Sequence, residues 1–511
     1  MNNSKQIKVG AIVSYFTIAF NIIAGLIYTP WMISQIGQGN YGLYTLATSL
    51  ITIFVMDFGM SAAVTRFVSK YNAADDSKSV NNFLGMVYKL YLAIDLVIFV
   101  ALLIVYLFIN KIYTQLSPEE LGVFKILYVI VGLFSVVSFP FTNLSGILSA
   151  YEKFVQLKLC ELFNKVFVIV AMVISLSMGY GVYALVSINA IAGILTILVK
   201  LIIIKKQTAV KANFKFFDKA MLKEIFSFSA WTTISGLAQR LVFTVSPSII
   251  AMVSAVGSVG VAIFGLATTI EGYVYTFANA INGMFMPRIS KMIHDGKKDA
   301  ELLPLMIKIG RIQCMIIGLI IVGFICVGKS FIVYVWDKPD FVESYVCAIL
   351  LIIPTFFSLP MQIANTALIV ENYVNMNAYV MIITGVLNVF LSFPLSKFYG
   401  AIGASASIFI AYMVSNILLY IIYKKFLKID MKTFCKETFL KISPYLIVTI
   451  AVGLLIEKYN PLSPGFIRFG INGATVVLTF GVLMLLFGMN KYEKNLVFGV
   501  FNKAKKMILK K

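Results

Sequence analysis

Residues 84–108 read LGMVYKLYLAIDLVIFVALLIVYLF, an apolar run whose only charges are Lys89 and Asp95. At about 1.5 Å per residue, such a run spans the roughly 30 Å hydrocarbon core of a bilayer as an α-helix. It lacks the period-two alternation of a barrel strand and far exceeds the roughly ten residues that one needs. Runs of the same kind lie at 9–33, 41–66, 122–149, 157–178, 182–204, 225–250 and 257–286, and again at 305–327, 341–370, 375–395, 400–423, 438–456 and 466–488. The sequence therefore predicts an all-α polytopic membrane protein of about 14 transmembrane helices. Composition agrees: 60% of residues are hydrophobic and 13% charged, against about 25% charged in a soluble domain.

A net charge of +21 would point to nucleic acid if it were spread over a soluble surface, so its placement decides the matter. Counting from a cytoplasmic N-terminus, the outward turns hold only Lys111, Lys125, Lys329, Lys338, Lys397, Lys458 and Arg468. Lys89, Lys165 and Arg240 are read within the spans, and the rest of the 43 basic residues fall on inward turns and tails. This positive-inside distribution places both termini in the cytoplasm and argues against a nucleic-acid partner. The first run is too long for a signal-peptide core and no small-residue cleavage site follows it, so it is read as a retained helix. Cys160, Cys314, Cys326, Cys347 and Cys435 are scattered without paired spacing. They are expected to form neither disulfides nor a metal site.

The chain resembles itself at a displacement of about 220 residues. Leu46-Ala47-Thr48 returns as Leu266-Ala267-Thr268, and Ser69-Lys70 as Ser290-Lys291. Ser138, Pro140 and Leu148 match Ser358, Pro360 and Leu368; Tyr180-Gly181 and Lys205-Lys206 match Tyr399-Gly400 and Lys424-Lys425. A unit of six spans is even, so both copies insert with the same orientation. Two pseudo-symmetric six-helix lobes are expected, 1–206 and 225–425, joined by 207–224. A C-terminal hairpin (426–490) and a basic cytoplasmic tail (491–511) follow. The joining segment, QTAVKANFKFFDKAMLKE, mixes phenylalanine with lysine and is expected on the cytoplasmic leaflet, its lysines near anionic headgroups.

No nucleotide loop, zinc motif or nucleophile elbow is present, and His294 is the single histidine; neither a cofactor nor an enzymatic activity is expected. Gly179-Tyr180-Gly181-Val182-Tyr183-Ala184 fits GxGxxA, but it sits in a turn between two membrane runs and reads as a hairpin. The informative groups are the charges inside spans, each costing from about 3 to more than 10 kcal/mol unless compensated. These are Asp57, Asp95, Glu161, Lys165, Arg240 and Glu271. Arg240 and Glu271 fall at similar depth in consecutive runs, which fits either a buried ion pair or an anion contact through the guanidinium fork. Glu161 and Lys165, spaced i, i+4, fit mutual neutralisation as well as substrate contact by the lysine. Asp57, Asp95, Glu161 and Glu271 are ion-coupling or structural charges. Lys89, near a span end, is expected to snorkel to the inner headgroups. Pro30, Pro140, Pro247 and Pro360 are expected to bend their helices.

Tyr28-Thr29-Pro30, Gly39-Asn40-Tyr41-Gly42-Leu43-Tyr44, Asp57-Phe58-Gly59-Met60 and Arg66-Phe67-Val68-Ser69-Lys70-Tyr71 resemble the opening hairpin of one family. It is the polysaccharide-transporter branch, O-antigen-flippase-like, of the multidrug/oligosaccharidyl-lipid/polysaccharide exporter superfamily. Residues 9–33 hold no acid, unlike the drug exporters, and no arginine, unlike the peptidoglycan-precursor flippases. The resemblance implies a flippase of the cell membrane that turns a polyprenyl-diphosphate-linked oligosaccharide from the cytoplasmic to the outer leaflet by alternating access, the two lobes rocking about a midplane cavity. Its implied partners are that lipid-linked sugar, a bilayer with an anionic inner leaflet, and a polysaccharide polymerase. A cation-coupled exporter of small amphiphiles is the alternative. A membrane glycosyltransferase or polymerase would need a larger, more acidic outward loop than 109–121 or 328–340 provides.

Overall fold

In the computed structural model, residues 3–499 are described except 56, 209, 283–288, 290–291, 294, 297, 372 and 497. Ser290, Lys291 and His294 lie outside the described residues. Among those described there is no β-strand, and eleven helices are long and apolar enough to cross a membrane, or twelve if the bent pair Glu343–Ser358 and Gln362–Val370 counts as one span. The helix Val374–Phe426 is interrupted at Gly400 (φ 54°, ψ −128°) and holds two of the expected runs. Gln38–Phe54 and Met60–Ala73 together occupy another, broken in its middle. The helices thus follow the fourteen runs, and each is called below by its ordinal as a crossing.

Local chemistry sets the breaks. The second crossing stops at Val55 and restarts after Phe58 (φ 51°) and Gly59 (φ 68°), a left-handed pair that no α-helix accommodates. Pro140 lies in a short 3-10 turn, Phe139–Phe141, that interrupts the fourth crossing. Its counterpart Pro360 lies in the 55° bend of the tenth. Gly181 (φ 43°) and Gly400 (φ 54°), also repeat counterparts, both open a helix in the left-handed region. The duplication read in the sequence therefore has local counterparts in backbone geometry. Pro30, by contrast, sits inside the continuous helix Asn3–Ile36.

The chain divides into two compact units. The first comprises Met1–Leu266 and Asn375–Ala411. In it the first crossing packs on the fifth, the fifth on the sixth, and the second on the fourth. Met60–Ala73 lies against Leu144–Ala150 through a hydroxyl ladder: Ser61, Thr65 and Ser69 donate to the carbonyls of Thr142, Gly146 and Ala150 at 3.3, 3.2 and 3.5 Å. Such interhelical bonds contribute about 0.6 kcal/mol each in a bilayer, and small residues permit the approach. A Cβ on Gly146 would come within 2.6 Å of the Ser61 carbonyl oxygen.

The second unit comprises Ala267–Val374 and Tyr412–Lys511. Its ninth crossing (Lys298–Ser330) packs on the tenth and on both helices of the C-terminal hairpin. Ser330 Oγ donates to Glu457 Oε1 at 2.9 Å, and Asn460 donates to Asn472 at 2.6 Å, tying one end of that hairpin. Arg311 ties the other.

Candidate functional site

The break in the second crossing gathers two of the charges that the sequence singles out. The Asp57 carboxylate accepts from the Ser61 backbone N–H at 3.1 Å, from Ser61 Oγ at 2.8 Å and from the Tyr91 hydroxyl at 3.0 Å. It therefore lies at the N-terminus of Met60–Ala73, where orphan N–H groups and the helix dipole favour an anion. Arg240 Nη1 donates to the carbonyl of Thr52, in the last turn of Gln38–Phe54, where a cation is favoured. Thr233, two turns before Arg240, donates to the Phe58 carbonyl at 2.8 Å. Each charge thus stabilises the helix end that suits its sign. Beside the break is an apolar cavity of about 460 Å³ lined by Ile53, Phe54, Phe58, Ile94, Ile98 and Leu237.

Asp95 lies one turn beyond Tyr91, on the face that carries Ile98 and Leu102, and one of its buried oxygens has no hydrogen-bond partner among the described residues. Arg240 has no ion pair among the described residues, and neither does Glu271 in the other unit. Among the described residues no three His, Cys, Asp or Glu side chains are placed to hold a metal, and the five cysteines are free thiols, four of them buried.

The fifth and sixth crossings meet along a polar seam. Gln156 bonds Gln207 at 3.3 Å and Asn164 donates to Thr196 at 2.9 Å, while Lys200 Nζ donates at 3.0 Å to Ser145 Oγ of the fourth crossing. Glu161 pairs with Lys158 at 2.8 Å. The i, i+4 pairing with Lys165 that the sequence permits does not form, because the acid has turned toward the lysine three residues before it. Lys165 is left half-buried in its crossing, with no hydrogen bond or ion pair among the described residues. With Asn164 level with Thr196, the Cα atoms of Lys165 and Lys200 are about 7–8 Å apart along the helix axes.

Three basic residues within the spans proves too low a count. Lys200 lies inside Gly181–Gln207, and Arg311 inside Lys298–Ser330. Arg311 is 4% exposed and Glu493 3%. They form a bidentate pair, Nε to Oε1 at 2.5 Å and Nη2 to Oε2 at 2.9 Å, and the guanidinium also donates to the carbonyls of Gly488 and Glu437. The signal was available: an arginine two turns inside an apolar run cannot be left uncompensated. Lys89, expected among headgroups, instead donates to the Phe216 carbonyl at 2.9 Å.

At one end of the first unit, the second and eighth crossings touch. A Cβ on Gly42 would lie 1.9 Å from the Ser258 carbonyl oxygen, and one on Gly265 would lie 2.9 Å from the Thr45 methyl. Ser258 Oγ also bonds Glu120, whose other oxygen accepts from the Ser117 backbone N–H at 2.8 Å.

Comparison with known proteins bears on this arrangement. The chain is 25% identical over 393 residues to an uncharacterized membrane protein of Methanocaldococcus jannaschii, covering 75% of this chain and 87% of that one. Among solved structures, the lipid II flippase MurJ in an inward closed conformation superposes with a TM-score of 0.69 at 17% identity, over 94% of this chain and 98% of that one. An inward-facing multidrug-resistance MATE family transporter of the MOP superfamily gives 0.65 at 16% identity, over 80% and 96%. These likenesses show a shared fold, the multi-pass helical architecture of that superfamily. The family model described as polysaccharide biosynthesis protein matches residues 8–293, more than half of the sequence, and the chain belongs to that family.

Proposed function

We propose that this protein is a lipid-linked oligosaccharide flippase. It carries a polyprenyl-diphosphate-linked sugar from the cytoplasmic to the outer leaflet of the cell membrane by alternating access, for surface polysaccharide assembly. Both termini lie in the cytoplasm, and a polysaccharide polymerase receives the product. The observation that carries this reading is Lys165, a cation inside a crossing with no carboxylate partner among the described residues. An intramembrane charge without a partner marks a ligand path. Lys200, close by, is held by a neutral hydroxyl. Glu161, the acid within one turn of Lys165, is paired with Lys158. Two such ammonium groups suit the charge of a diphosphate. Membership of the polysaccharide biosynthesis family and the fold shared with a lipid II flippase support a sugar carried on a lipid.

The test is reconstitution in proteoliposomes loaded with a polyprenyl-diphosphate oligosaccharide, reading exposure of the sugar to an added glycosidase. Protein-dependent exposure that Lys165→Gln lowers at least tenfold is expected. Exposure at the rate of empty liposomes would overturn the reading. The orphan oxygen of Asp95 favours a second reading, a cation-coupled exporter of small amphiphiles. That reading predicts drug efflux which Asp95→Asn abolishes.

A further inference from the structure

Residues 210–218, which lead from the sixth crossing into the seventh, form no helix, yet they are held firmly against the third. The Asn213 backbone N–H donates to the Asn81 carbonyl at 2.8 Å, and its side chain donates to Asn82 at 2.8 Å. The Lys211 N–H donates to Asn81 Oδ1 at 2.7 Å, and Lys89 holds the Phe216 carbonyl. A Cβ on Gly85 would lie 1.9 Å from the Asn213 carbonyl oxygen, so the two backbones touch only because that position is glycine. Tyr88 packs its ring on Phe214, with centroids 5.9 Å apart.

This fixed segment presents apolar rings outward. Phe214 is 54% exposed and Phe217 59%, and Lys211, Lys215 and Lys219 are exposed around them. Burying one such ring is worth about 1.5–3 kcal/mol, so a segment pinned with two of them outward is poorly matched to bulk water. At a bilayer surface the same pattern is favourable: rings enter the acyl boundary while ammonium groups stay with anionic headgroups, each worth about 1 kcal/mol. We propose that residues 211–219 form a binding surface for anionic phospholipid headgroups, with Phe214 and Phe217 inserted beneath them. Lys211 and Lys215 lie outside the crossings, and Lys219 is the first residue of the helix Lys219–Phe243. Lys89, the nearby intramembrane lysine, is already spent on Phe216. Bilayer phospholipid therefore fits better than the diphosphate of a cargo.

A nitroxide attached to Phe217→Cys, in a chain whose five native cysteines are replaced by alanine, reports its depth through collision with oxygen and with a water-soluble nickel chelate. The protein is placed in nanodiscs of phosphatidylcholine, with or without phosphatidylglycerol. The label is expected below the phosphates, and deeper when phosphatidylglycerol is present. Lys211→Gln/Lys215→Gln/Lys219→Gln should remove the difference between the two bilayers. Gly85→Ala, which displaces Asn213 and leaves every charge in place, should return the label to water. A label exposed to water in both bilayers would overturn the proposal, as would a composition effect that survives the triple change. A response to added polyprenyl diphosphate but not to phosphatidylglycerol would also overturn it and make the segment a cargo contact. Transport is not the readout, so the result stands apart from the flippase assignment.

Discussion

Glu161 pairs with Lys158 on its own helix, leaving Lys165, one turn further along, without a carboxylate. The two lysines are equally reachable by spacing, at i−3 and i+4, so this choice separates a neutralised crossing from a cationic one.

Opposite consequences follow for the two members of the expected pair. Glu161→Gln should leave flipping within about twofold of the parent, because the lost partner is an exposed pair worth at most about 1 kcal/mol. Lys165→Gln should lower it by about 10–100-fold, the worth of a charge-assisted contact of about 1.5–3 kcal/mol, with membrane abundance unchanged. Initial flipping rates at matched protein density decide between them; equal losses in both variants would show that the pair acts as a unit.

How much of this was legible in the sequence depends on the length scale of the signal. A run such as 84–108 identifies itself because no other structure hides so many apolar residues, and Pro140 and Pro360 announce their bends by chemistry. The left-handed turn at Phe58 does not: phenylalanine has no preference for positive φ, and Asp57 reads as an intramembrane charge until the helix restart at Met60 reveals a cap. Arg311 and Glu493 are far apart in sequence, so nothing local links them, and Lys200 hid among the basic residues of its helix end. The Glu161 choice is one of rotamers, which spacing leaves open.

Arg240 tests whether a helix end or a ligand needs the guanidinium. One hydrogen bond to the Thr52 carbonyl requires a cation and a single donor, which lysine also supplies. Arg240→Lys should therefore keep melting temperature and flipping near the parent values, whereas Arg240→Ala should lower the stability by about 1–2 kcal/mol. Thermal unfolding in detergent alongside flipping is the measurement. A lysine variant of normal stability with flipping lost would assign the fork to the cargo.

Arg311 and Glu493 should respond as a buried pair. Removing either charge strands the other, at a cost of about 3–5 kcal/mol. Arg311→Met or Glu493→Leu alone is expected to reduce the folded fraction sharply. The double variant should recover part of the loss, and not all, because the carbonyls of Gly488 and Glu437 also lose their donor. Fluorescence-detected size exclusion of the three variants measures this; additive losses in the double variant would show the two charges to be independent.

Gly42 and Gly265 both sit where the second and eighth crossings meet, but a methyl group meets different obstacles at each. At Gly42 it would strike the main chain, the Ser258 carbonyl oxygen at 1.9 Å and the Ala262 nitrogen at 3.2 Å, and neither can move without displacing its helix. At Gly265 it meets only side-chain atoms of Thr45, the methyl at 2.9 Å and the hydroxyl at 3.0 Å, a smaller overlap that a shift of a few tenths of an ångström relieves. Gly42→Ala should therefore separate the crossings, at an overpacking cost of about 1–3 kcal/mol, and release Ser258 from Glu120. Gly265→Ala should be tolerated. With Ser258→Cys as reporter, labelling by a membrane-impermeant maleimide is expected to rise at least fivefold in the Gly42→Ala background and to stay within about twofold in Gly265→Ala, as a 1 kcal/mol shift in the opening equilibrium implies. Similar labelling in both backgrounds would mean that the contact at Ser258 does not hold these helices together.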